Sequence, residues 1–201
     1  TGDWDGAPIF VGAMRYPVKT VYLEDMLTEL PRLSEACGWF IEAEVRRMNE
    51  AAAGRTDGKR GISPWDVSRV DMKRTVCDTV AHVARAGECV LVFLPGLLEI
   101  SRLAETLQET AASVPLQVLM LHSLVPEEEQ ARCLLPAEPG HCKVILSSNI
   151  AETSVTIPDV KWVLDLGVHR EMWYCARRKF QVLTVSWTSK ASAKQRAGRA
   201  G

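Results

Sequence analysis

The chain closes on the stretch TSKASAKQRAGRAG, Thr188 to Gly201, in which Lys190, Lys194, Arg196 and Arg199 stand within twelve residues and no acid intervenes. A helix starting near Ser189 or Ser192 would set Gln195 and Arg199 four apart on one face, with Arg196 turned about 100° away. On that face Gln195 can orient a water, and the fixed fork of Arg199 suits a polyphosphate. Glycines at 198 and 201 weaken such a helix by up to about 1 kcal/mol each relative to alanine. Close backbone packing or the approach of a ligand would be a reason to keep them. The competing reading is a solvated basic end.

Further candidates follow the apolar runs. After Leu146 come Ser147, Ser148 and Asn149, then Ile150 to Thr156. Short hydroxyl and amide side chains at a strand end can donate to phosphate oxygens or cap the next helix, and chemistry alone favours capping. After Leu94 come Pro95 and Gly96, where a glycine lets another chain approach the backbone. A third group, Arg177, Arg178 and Lys179, lies between two strand-like runs. Net charge is only −1, yet Lys161 to Gly201 holds nine Lys or Arg against two acids, so positive charge is gathered at the end of the chain.

These groups need elements to hold them. Short runs rich in Val, Ile and Leu alternate with segments of helical period, the pattern of a parallel sheet with crossover helices. The runs are CVLVFLP (Cys89 to Pro95), LQVLMLHS (Leu116 to Ser123), KVILSS (Lys143 to Ser148) and WVLDLGV (Trp162 to Val168). Ser63-Pro64 offers a cap and first-turn proline, after which Val76, Val80 and Val83 share one face. Leu98, Ile100, Leu103 and Leu107 mark a second helix, and PEEEQARCLL a third whose first-turn glutamates suit the helix dipole. REMWYC and QVLTVSW read as a hairpin, Arg170 to Val185, with a basic tip. In open parallel sheets ligands collect at the carboxyl ends of strands, where the candidates fall.

Two hundred and one residues, 47% of them hydrophobic, suffice for the core of one ordinary domain. Residues 46–61 (RRMNEAAAGRTDGKRG), polar and punctuated by glycine, are expected as a mobile loop rather than a site. Six cysteines without a C-x-x-C pair read as reduced, mostly buried thiols and an intracellular reducing compartment. Apolar runs of about eight residues and the lack of a charged-then-apolar leader argue against a membrane partner.

The strings VLVFLPGLLEI, LHSLVPEEEQ, VILSSNIAETSVTIPDV and SKASAKQRAGRAG, in that order, resemble motifs IV, V and VI of the second RecA-like domain of DExH-box (DEAH/RHA-like) superfamily two RNA helicases. The resemblance runs from about Ile9 to the end. YPVKTVYLEDML is similar to the family's passage from the first RecA-like domain, which makes residues 1–20 an interdomain segment and 1–201 the helicase C-terminal domain. It implies an α/β RecA-like fold with a mainly parallel sheet, helices on both faces and a projecting hairpin. Strand is held between the RecA-like domains and a C-terminal region, and nucleotide between the two RecA-like domains.

By that resemblance Pro95, Gly96, Ser148 and Asn149 approach the RNA backbone, and Arg177, Arg178 and Lys179 add phosphate contacts. Thr156 faces the nucleotide, Gln195 places the attacking water and Arg199 acts as an arginine finger; Arg196 is a structural brace. Leu134 stands where the family commonly has an aromatic for the base, and Pro158, with Asp159 next, where many members have an acid. At both positions the chain departs from the family's pattern.

The chain holds no G-x-x-x-x-G-K-[ST] loop and no Asp-Glu-x-His motif. ATP and Mg2+ would therefore be bound mainly from a first RecA-like domain, and this chain alone is expected to be inactive. Both ends fall at motif boundaries, and by the resemblance a longer protein with accessory domains is expected. Expected partners are RNA, the first RecA-like domain and protein cofactors. The rival reading is a helicase-like scaffold that binds RNA or protein without ATP turnover, with a DNA substrate as a third.

Overall fold

A computed structural model describes residues 17–31, 33–53, 70–153, 155, 157–175 and 179–200. A 3-10 turn (Leu23–Asp25) leads into α1 (Met26–Glu29) and then α2 (Glu35–Ala52), which packs on α3 (Val70–Val83). Ser34 caps α2 by accepting from the Cys37 amide at 3.3 Å, and its hydroxyl donates to Asp78 of α3. The Cys37 thiol donates to the same carboxylate at 2.9 Å. One acid thus ties the two helices together.

The first part of 46–61 is not a loop. Arg46 to Ala52 completes α2, and the rest of that stretch beyond Ala53 lies outside the described residues. Arg, Met, Glu and Ala are strong helix formers, and Arg47 pairs with Glu44 one turn back at 2.6 Å, so the helix runs on until the glycines begin. On α3, Val76, Val80 and Val83 are all buried, as their spacing requires. Ser63 and Pro64 lie outside the described residues.

The sheet follows in chain order: β1 (Cys89–Phe93), α4 (Leu97–Gln108), β2 (Leu116–Leu121), α5 (Glu127–Arg132), β3 (Cys142–Ser147), α6 (Ile150–Thr153) and β4 (Val160–Asp165). All three pairings are parallel, in the order β2-β3-β1-β4. Side chains alternate across it. Val90, Val92, Val144 and Leu146 pack with α3 and α4 on one face, while Leu91, Phe93, Leu119, Leu121 and Ile145 pack with Cys133 and Ala151 on the other. Coverage on both faces is why β1 and β3 are apolar almost without interruption. The helix marked by Leu98, Ile100, Leu103 and Leu107 is α4; Leu98 is exposed, because a spacing of two puts it on the far side from Ile100, and Ile100, Leu103, Ala104 and Leu107 face inward.

Beyond the sheet, β5 (Val168–Cys175) and β6 (Phe180–Trp187) form an antiparallel hairpin, two residues longer at its base than the sequence indicates, and α7 (Lys190–Ala197) ends the described fold. Five cysteines are free and buried, and burial pushes the Cys89 thiol up to about 12 and the Cys133 thiol to about 11. Among the described residues no helix is long and apolar enough to cross a membrane.

Candidate nucleotide and RNA interface

The helix α7 starts where its first polar residue can cap it. The Ser189 hydroxyl accepts from the Ser192 amide at 3.1 Å, and the helix then runs through Gln195 to Ala197. Gly198 closes it: a Cβ there would stand 3.4 Å from the carbonyl oxygens of both Lys194 and Gln195. Arg199 N–H bonds the Arg196 carbonyl at 3.0 Å, so the turn continues and Arg199 lies about one turn beyond Gln195. Gln195 is exposed.

Arg199 reaches back to the segment after β3. Its Nη1 donates to the Val155 carbonyl at 3.2 Å and its Nη2 to the Glu152 carbonyl. Both carbonyls belong to the stretch that leads to Thr156, which itself lies outside the described residues, as do Arg177 and Arg178. Lys179 is exposed at the hairpin turn with φ of 54°. The fork of Arg199 is therefore satisfied by neutral acceptors, which a charged phosphate oxygen would outcompete.

Arg196 points the other way. Only 1% of its surface is exposed, and its Nε and Nη1 bond Glu152 of α6 at 3.1 Å and Asp165 of β4 at 2.8 Å. The structural role the resemblance implies for it is visible in these contacts. Ser147 is likewise internal: its hydroxyl donates to the Leu121 carbonyl of β2 at 3.2 Å and lies 2.9 Å from the Ser148 carbonyl. Ser148 is buried, and Asn149, next along, is exposed; its carbonyl accepts from the Glu152 amide at 3.0 Å.

At the carboxyl end of β1, Pro95 and Gly96 are buried, and Arg170 from the root of the hairpin lies over Gly96. A Cβ on Gly96 would meet Arg170 Nη1 at 3.0 Å, so a larger residue there would push this side chain aside by a few tenths of an ångström. Arg170 is held by Glu99 at 2.8 Å, and its charge, after burial, helps push the His122 imidazole below its usual range. The carboxyl edge of the sheet thus gathers Gly96, His122, Asn149 and Arg170.

Two ion pairs escape a motif-based reading. Arg170–Glu99 joins residues far apart in sequence, and nothing local announces it. Lys143 is different: it sits in β3 between apolar residues, on the inward face shared with Ile145, so a buried charge in need of partners was foreseeable. Its ammonium meets Asp159 at 2.7 Å and the carbonyls of Cys133 and Leu135 at 3.2 and 2.6 Å. Asp159 is thereby committed to the amino end of the sheet. Leu134, between the two held carbonyls, is exposed. Among the described residues no group of three His, Cys, Asp or Glu side chains is placed to hold a metal ion.

A parallel sheet with helices on both faces, one cationic helix applied to the loop after its central strand and a hairpin beside its carboxyl edge define a RecA-like domain. A family profile described as helicase conserved C-terminal domain matches residues 72–201, and the chain belongs to that family. It is 48% identical over 203 residues to the ATP-dependent RNA helicase TDRD9 of Danio rerio, covering 98% of this chain and 14% of that protein. It is 29% identical over 231 residues to the human ATP-dependent RNA helicase DHX29, covering 95% of this chain and 17% of that protein. Among solved structures, the E. coli DExH-box NTPase HrpB superposes with a TM-score of 0.59 at 34% identity over 65% of this chain and 16% of that one. The chain thus spans a small part of the length of each relative.

Proposed function

We propose that this chain is the second RecA-like lobe of an ATP-dependent RNA helicase, supplying the arginine-finger side of an ATP site and part of the grip on the RNA backbone. The observation that carries the reading is Arg199, whose guanidinium is seated on the carbonyls of the loop leading to Thr156 while Gln195 stands exposed one turn earlier.

Thr156, Gln195 and Arg199 would contact a nucleotide presented by a first RecA-like domain. That nucleotide with its Mg2+ supplies the phosphoryl group and its leaving group. Arg199 exchanges two neutral carbonyl acceptors for a phosphate oxygen, a stronger charge-assisted bond, and stabilises charge that develops on the phosphoryl oxygens. The exposed amide of Gln195 is positioned to orient a water. On the RNA side, the exposed Asn149 and Lys179 offer contacts to phosphate and sugar rather than to base edges, Arg177 and Arg178 add charge, and Pro95, Gly96 and Ser148, which are buried, support that surface from beneath. Protein cofactors and an intracellular reducing compartment complete the proposal.

The test is ATP turnover by the full-length protein with and without single-stranded RNA, and with matched DNA. Turnover raised by RNA above DNA is expected. RNA binding without turnover would replace the enzyme with a scaffold.

A further inference from the structure

Arg196 joins more of the molecule than a brace for one helix requires. Its Nε bonds Glu152 at 3.1 Å, its Nη1 bonds Asp165 at 2.8 Å and lies 3.4 Å from the Val168 carbonyl, and its guanidinium carbon stands 4.8 Å from the centre of the Phe93 ring. These partners belong to α6, the end of β4, the first residue of β5 and the end of β1. Each of α6, β5 and β1 leads to a candidate RNA contact. Glu152 lies three residues after Asn149, Phe93 two before Pro95, and Val168 opens the hairpin that carries Lys179. On its own helix, Arg196 follows Gln195 and precedes Arg199 by three.

A well-packed apolar side chain would hold these elements together with less desolvation penalty than a buried guanidinium and two carboxylates. What the ionic cluster adds is geometry. The planar fork fixes α6, β4 and β5 relative to one another and to α7, in directions that an apolar contact does not specify. Glu152 is held by both arginines: its carboxylate by Arg196 and its carbonyl by Arg199. When Arg199 leaves that carbonyl for a nucleotide, the Arg196 bond keeps α6 moving with α7. RNA pressing on Asn149 acts through the same bond in reverse.

We infer that Arg196 is a positioning residue through which RNA contact at the strand ends and nucleotide contact on α7 are coupled, with Glu152 as the transmitting partner; this rests on the functional reading above. The coupling is reciprocal, as any equilibrium linkage between two sites must be.

Because Arg196→Ala strands two carboxylates and can unfold the domain, the test uses Glu152→Gln and Glu152→Ala in the full-length protein. ATP turnover is measured with and without single-stranded RNA, and RNA Kd by fluorescence anisotropy. The ratio of RNA-stimulated to basal turnover is expected to fall about tenfold in Glu152→Ala, within the usual range of coupling energies, and less in Glu152→Gln. RNA Kd measured without nucleotide is expected to stay within about threefold, because the coupling acts only when both ligands are bound. A ratio equal to wild type in both variants, including one reached by a proportional loss of both rates, overturns the inference and leaves a fold brace. If the unmodified protein itself shows no stimulation by RNA, the functional reading fails, and the inference with it.

Discussion

The α7 bracket and the β5–β6 hairpin are neighbours in sequence and opposites in construction. In the bracket, a guanidinium with 1% of its surface exposed is satisfied by two carboxylates, a carbonyl and an aromatic face. The hairpin exposes apolar residues on both sides: Met172 and Leu183 share one face, Trp173, Val182 and Phe180 the other. It joins the body through Val168 and Val185 against Met72 and Leu166, and through the Arg170–Glu99 pair. A two-stranded ribbon of this kind is marginal in water by its own pairing. The bracket is built to hold one arrangement, whereas the outer part of the hairpin is held by its own strand pairing and leaves Met172, Trp173, Tyr174, Phe180 and Leu183 exposed.

Substitutions sharpen that contrast from opposite ends. Arg196→Ala removes the buried cation and leaves the half-buried Glu152 and the exposed Asp165 without it, and urea unfolding followed by tryptophan fluorescence should show a loss of about 1–3 kcal/mol. A loss below about 1 kcal/mol would mean that the carboxylates find water or other partners. Leu183→Ser, at an outward position of β6, should change the same stability by no more than about 0.5 kcal/mol. A large loss there would mean that the hairpin is covered in solution.

How much of the fold and site is legible in the sequence depends on whether the determinant is local. Continuous apolar runs bounded by turn residues mark β1 and β3, and alternation within them places Lys143 on an inward face before any partner is known. Ser189 as a cap and the Gln195–Arg199 spacing are equally local. Leu98 marks the same helix as Ile100, and the helical angle between the two positions already turns it outward. Residues 46–52 read as a loop only when charge and nearby glycines are weighed above helix propensity. Sequence does not supply partners far along the chain: Glu99 for Arg170, and Asp165 with Glu152 for Arg196. Motif VI marks Arg196 as present, but only the folded sheet shows that it reaches four elements.

The most direct test of the central account measures RNA-dependent ATP turnover and RNA binding over a range of salt in two variants of the full-length protein, Arg199→Ala and the triple alanine replacement of Arg177, Arg178 and Lys179. Arg199→Ala should retain RNA affinity while RNA-stimulated turnover falls by about 10³-fold, the effect of removing a transition-state charge partner. The triple variant should keep basal turnover while its binding weakens and its salt slope falls by up to about one unit for each phosphate deprived of its cation. Normal RNA-stimulated turnover in Arg199→Ala would contradict the account, because the side chain seated on Glu152 and Val155 would then have no part in the chemistry.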